Sequence, residues 1–207
     1  MGKEFQEVGM RSALGFSASA VGDLAKYGVG VKEFGEAYGK LSSRINGFNN
    51  MSAQQRKLLA ENAAAMETLG ISADIYGAAA AKLMGTIGKT AEGAKNTIEQ
   101  LSKEAIAAGK NVGEYVKEFE QLMPKIVGYG REATQIFKEL NALSAMTKGV
   151  MSAGDLQSFA DQFDTWEGAA ESVSKLNVAL GGASVNIADM MRADPTEKLM
   201  MLKRAFD

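Results

Sequence analysis

Between residues 24 and 48 the apolar positions Leu24, Tyr27, Val31, Phe34, Tyr38, Leu41, Ile45 and Phe48 follow one another at alternating steps of three and four. A mean repeat of 3.5 keeps such positions on one side of an α-helix, as a seam for a second helical surface. The pattern predicts a helix from about Ser12 to Phe48 and assigns those eight residues to self-association. Gly22, Gly28, Gly30, Gly35 and Gly39 interrupt it. Gly28 and Gly35 flank the stripe one heptad apart, which reads either as local helix weakness or as close backbone approach.

Beyond Asn46-Gly47 and Asn49-Asn50, the polar positions fall into regular start and stop signals. Ser52 with Gln55 forms a capping box, and Gly70 suits the residue after a helix. Ser72 and Thr90 start the next two helices, which end near Gly88 and Gly109. Asn111 with Glu114 caps another, which Pro124 ends or kinks. A further helix is expected from about Arg131 to Lys148, and Ser152 with Asp155 caps the next. Starts at 52, 72, 90, 111, 131 and 152 lie about 20 residues apart, a beat that suggests antiparallel hairpins. The tail reads as helices over Ala169–Leu180, Ser184–Arg192 and Asp194 onward, where Asp194 caps and Pro195 takes the first helical position.

The pattern therefore predicts an all-α fold: a long N-terminal heptad-patterned helix followed by short helices in antiparallel hairpins, coiled-coil or bundle-like. Three regions are expected. Residues 1–50 form the glycine-interrupted coiled-coil-like helix, 51–150 a helical-hairpin array, and 151–207 a helical segment continuing beyond the chain end.

Composition narrows the chemistry. There is no Cys and no His among 207 residues, which removes thiolate chemistry, disulfides and the commonest general base and metal ligand. Net charge is −2 with the signs interleaved, so no basic face for nucleic acid is expected. No apolar run reaches membrane-spanning length.

Local motifs add no catalytic apparatus. Gly88-Lys89-Thr90 lacks the earlier glycine of a phosphate loop, Leu83 standing there, and reads as cap and turn. Gly28-Val29-Gly30 misses a dinucleotide fingerprint at Glu33. Ser184 has Asn186 where a nucleophile elbow needs Gly, and reads as a helix cap. Asp161 and Asp164 read as solvated surface. The sole tryptophan, Trp166, is expected to anchor a core beside Phe159 and Phe163, ahead of a Trp-x-Gly turn at Gly168. Gly77, Ala81 and Gly85, spaced by four, read as a close helix-contact stripe. No cofactor, metal or small-molecule substrate is expected.

Phe163-Asp164-Thr165-Trp166-Glu167-Gly168, Leu176-Asn177-Val178-Ala179-Leu180-Gly181-Gly182 and Asp194-Pro195-Thr196-Glu197-Lys198 together resemble a stretch of the tail tape-measure proteins of tailed bacteriophages. The Gly181-Gly182 turn and the Asp194-Pro195 helix start are its structural marks, and neither carries chemistry. The resemblance implies a non-enzymatic virion component, present as a homo-oligomer in the tail lumen. It would help set tail length, contact the tail tube and the tail-tip or baseplate proteins, and be assembled in the host cytoplasm. A second class stays open: a secreted or membrane-active helical protein, a pore former or secretion-system substrate, using residues 72–88.

Overall fold

A computed structural model describes residues 30–146, 152–179 and 185–206. Among these residues the chain is helical and contains no strand. The helices are α1 (Val31–Arg44), α2 (Ala53–Glu67), α3 (Ala73–Gly85), α4 (Ala91–Ala107), α5 (Val112–Ile126), α6 (Ala133–Met146), α7 (Ala153–Asp161), α8 (Trp166–Ala179), α9 (Ile187–Arg192) and α10 (Pro195–Phe206). Short 3-10 turns occupy Phe48–Asn50 and Val127–Glu132. The chain divides into two compact units, Met1–Gln121 and Leu122–Asp207. Helices on both sides of residue 50 belong to the first of these units. Helix α1 packs on α2 and α3, so its apolar face belongs to their core.

In the first unit, the described part of the seam is shorter than its heptad pattern. Gly30 is extended, and the helix begins only at Val31. It stops at Arg44; Ile45 is again extended, Gly47 is left-handed (φ 75°), and Phe48 opens a 3-10 turn. Leu24 and Tyr27 lie outside the described residues. Within them, Val31, Phe34, Leu41, Ile45 and Phe48 are all buried. The Tyr38 ring stands edge-on to Phe48 at 5.1 Å and is tilted against Phe34 at 6.1 Å. Burying side chains such as Phe34 and Leu41 contributes about 2 kcal/mol each. That stabilisation is obtained within the chain, where α2 and α3 cover the stripe from Val31 to Phe48.

Contacts of α1 with α3 and of α2 with α4 make this unit a bundle in which helices touch more than their sequence neighbours. Leu59, Ala63, Tyr76, Ala80, Leu83, Ile98 and Leu101 supply further fully buried side chains. Polar groups tie the helix ends outside this core. Arg44 pairs with Asp74 at 3.0 Å, placing a cation beside the carboxylate in the first turn of α3.

The punctuation follows local chemistry. Ser52 and Gln55 form the reciprocal box, as do Ser152 and Asp155. Ser72 and Thr90 accept from the amides of Ile75 and Gly93. Gly70, Gly88 and Gly109 have φ of 87°, 74° and 65°, values that strain any residue with a Cβ. Pro124 neither ends α5 nor precedes its last turn: the helix continues to Ile126. In the second unit α6 starts at Ala133 rather than Arg131, and α8 at Trp166 rather than Ala169. The cap of α9 is Asn186, which accepts from the amides of Ala188 and Asp189; the cap expected at Ser184 is corrected accordingly. Phe163, Ala169, Val173, Val185, Met190 and Leu202 form the core around α8, α9 and α10.

Candidate functional site

The residues expected to matter separate into buried, exposed and clasping groups. Of the two glycines in the small-residue stripe, Gly77 makes a close approach. A Cβ there would lie 3.0 Å from Arg44 Cβ and 3.2 Å from Leu41 Cδ2 of α1. Ala81 is half-buried. Gly85 ends the helix exposed, with nothing within 4 Å of an added Cβ, so it is not a contact position. The same stretch places Tyr76, Ala79, Ala80 and Leu83 in the core. Among the described residues no helix is long and apolar enough to cross a membrane.

Trp166 is 63% exposed, a correction to its expected role as a core anchor. The anchoring ring is Phe163, which is 2% exposed and stands edge-on to Phe159 at 5.7 Å. The reason is local: Trp166 is the first residue of α8, one turn before the positions that face inward. Gly168 is required for a different reason, since a Cβ there would overlap the carbonyl oxygen of Gln162.

Three clasps hold the second unit. Asn177 Nδ2 donates to the Val185 carbonyl at 3.0 Å, and the Val185 amide donates to Asn177 Oδ1 at 2.9 Å. One side chain thus satisfies both backbone groups of a residue eight positions on; Gly181 and Gly182, between them, lie outside the described residues. Asp194 accepts from the Glu197 amide at 2.9 Å, and Glu197 accepts from the Asp194 amide at 3.2 Å, with Pro195 first in α10 as expected. The third clasp is the ion pair between Lys198 and Asp164. The Lys198 side chain is only 2% exposed and that of Asp164 50%, so Asp164 is not the simple solvated carboxylate expected.

The first unit holds a groove between α2 and α4 with a few polar groups in it. A cavity of about 360 Å³ is lined by Leu58, Asn62, Met66, Leu69, Lys95 and Glu99 among others. Asn62 donates to Glu99 at 2.7 Å, and Lys95 pairs with Glu99 at 2.9 Å. The Asn62 carbonyl oxygen is buried without a hydrogen-bond partner. Glu99 also raises the pKa of Tyr76, though burial of that phenol is the larger cause. Burial, followed by Glu104 and Glu118, pushes Tyr115 up to about 12. Both effects stabilise neutral phenols, which suits core positions. At the α4 start, Lys89 donates to Thr97 at 2.8 Å while Thr90 caps the helix, an arrangement of turn and cap. Among the described residues no group of acidic side chains is placed to hold a metal ion.

Comparison of the chain with protein-family models, curated proteins and solved structures finds no match.

Sequence reasoning missed the burial of Lys198. A signal was present: Lys198, Leu202 and Ala205 recur at helical spacing, so the lysine shares the stripe of a core leucine. The clasp by Asn177 had no such signal, because it depends on where Val185 returns in space.

Proposed function

We propose that this chain is part of a non-enzymatic structural component of a phage tail, of tape-measure type, carried in several copies in the tail lumen. It would contact the tail tube and the tail-tip or baseplate proteins. The observation that supports this reading most is the use made of the residues in the resembling stretch. Phe163 fills a core, Asn177 clasps Val185, Asp194 caps α10 and Lys198 pairs with Asp164. Side chains committed to holding helices together suit a scaffold.

The compact first unit refines the reading. A fully extended helical ruler gains about 1.5 Å of length per residue, whereas residues 31–121 fold back on themselves as a bundle. In this form the segment serves as a folded contact module of the tail component, with the ruler length supplied elsewhere. Peptide mass spectrometry of purified virions tests it. Peptides from residues 31–206 are expected in intact tails and are expected to be lost after genome ejection. Their absence from tails, or their recovery with the head alone, overturns the proposal.

A further inference from the structure

Helix α10 buries two polar side chains, Thr196 and Lys198. It packs on α6 and α7, and each of these three helices carries a buried oxygen without a hydrogen-bond partner: Thr134 Oγ1 on α6, Gln157 Oε1 on α7 and Thr196 Oγ1 on α10. Thr196 lies on α10 itself, and its unpartnered hydroxyl opposes docking, because in the undocked helix it would bond to water. Lys198 adds a nearly fully buried ammonium, whose removal from water is unfavourable unless a partner charge offsets it. The partner is Asp164, in the turn between α7 and α8, and it remains half-exposed. Along the same stripe as Lys198, Leu202 and the partly buried Ala205, with Met201 beside them, join the core of Phe163, Val173 and Met190. The apolar contacts pull α10 inward, the buried Thr196 hydroxyl and Lys198 ammonium oppose docking, and the ion pair offsets the buried charge.

We propose that α10 is a releasable latch, closed by the pairing of Lys198 with Asp164, which undocks from the rest of the second unit before that unit unfolds. Its release uncovers an apolar surface on Phe163, Val173 and Met190. The inference rests on this packing alone and holds whether or not the chain is a tail component.

Hydrogen exchange on the full 207-residue chain tests it, comparing amides of α10 with those of α8 under conditions where exchange reports the opening equilibrium. In the unaltered chain α10 amides exchange faster than α8 amides. Asp164→Asn strands the ammonium and speeds α10 exchange at least about tenfold, with α8 little changed. Lys198→Met replaces the buried charge by an apolar chain of similar length and slows α10 exchange about tenfold. Equal exchange of α10 and α8 in the unaltered chain overturns the latch. So does parallel acceleration of both helices in Asp164→Asn, or faster α10 exchange in Lys198→Met, which would make the ion pair an ordinary structural necessity.

Discussion

Lys82 donates to the backbone carbonyl of Glu120 at 2.8 Å while pairing with its carboxylate at 2.6 Å. That carbonyl lies four residues before Pro124, and a proline has no N–H to offer it. The lysine of α3 therefore supplies the donor that α5 lacks, which explains how a proline is accommodated inside that helix.

A double-mutant cycle measures this relationship. Lys82→Met should cost about 1 kcal/mol more in the unaltered chain than beside Pro124→Ala, where the alanine N–H takes over the carbonyl. Denaturant unfolding of the four proteins reads the difference. Equal costs in both backgrounds would show that the backbone contact contributes nothing.

Two glycines should respond in opposite directions. A Cβ on Gly113 would overlap the carbonyl oxygen of Gly70, whereas one on Gly39 of α1 meets nothing within 4 Å. Gly113→Ala should lower stability by about 2–3 kcal/mol. Gly39→Ala should raise it by about 0.5–1 kcal/mol, because the helix no longer restrains so flexible a residue. Thermal unfolding followed by circular dichroism distinguishes them, and a shift of the same sign for both rejects the packing described at Gly113.

The first unit should lose stability in alkali. Tyr76 and Tyr115 are both raised above the ordinary value of 10.0, the latter to about 12. Between those values the folded chain keeps phenolic protons that the unfolded chain has released, so stability falls as pH rises. It is fully present below pH 10 and declines toward pH 12. Tyrosinate absorbance should show two of the five tyrosines ionising only as helicity is lost. Ionisation of all five with helicity intact is the contrary result. Tyr76→Phe should stabilise by about 1 kcal/mol, since it removes a buried hydroxyl without a partner.

Asn177→Ala should destabilise the second unit by about 2 kcal/mol, through loss of both bonds to Val185. Asn177→Asp keeps an acceptor for the Val185 amide but sets a carboxylate oxygen against the Val185 carbonyl, so its cost should be at least as large. Urea unfolding in which neither Asn177→Ala nor Asn177→Asp lowers stability contradicts the clasp.

Much of this fold was legible in the sequence because its instructions are local. Ser52 with Gln55, Ser152 with Asp155, and Asp194 with Pro195 act within a single turn, so their reading needs no neighbour. The apolar stripe from Val31 to Phe48 likewise showed that a covering surface must exist. Whose surface covers it was not encoded in the spacing: α2 and α3 do so here, where a second copy was expected. Trp166 and Lys198 exchanged their expected places for a related reason. Hydrophobicity alone sends tryptophan inward and lysine outward, but position along α8 and α10 overrode both preferences.

Trp166 offers a direct check of that reversal. Its indole is 63% exposed, so its fluorescence should be red-shifted in the native chain, accessible to iodide, and little altered in wavelength by unfolding. A blue-shifted native emission that iodide fails to quench would return it to the core.

The left-handed glycines at 70, 88 and 109 also bear on how quickly order arises. Each reverses the chain within a few residues, so neighbouring helices meet across short sequence separations and little loop entropy is spent bringing them together. The first unit should consequently collapse fast, with α2, α3 and α4 able to zip in order as they leave the ribosome.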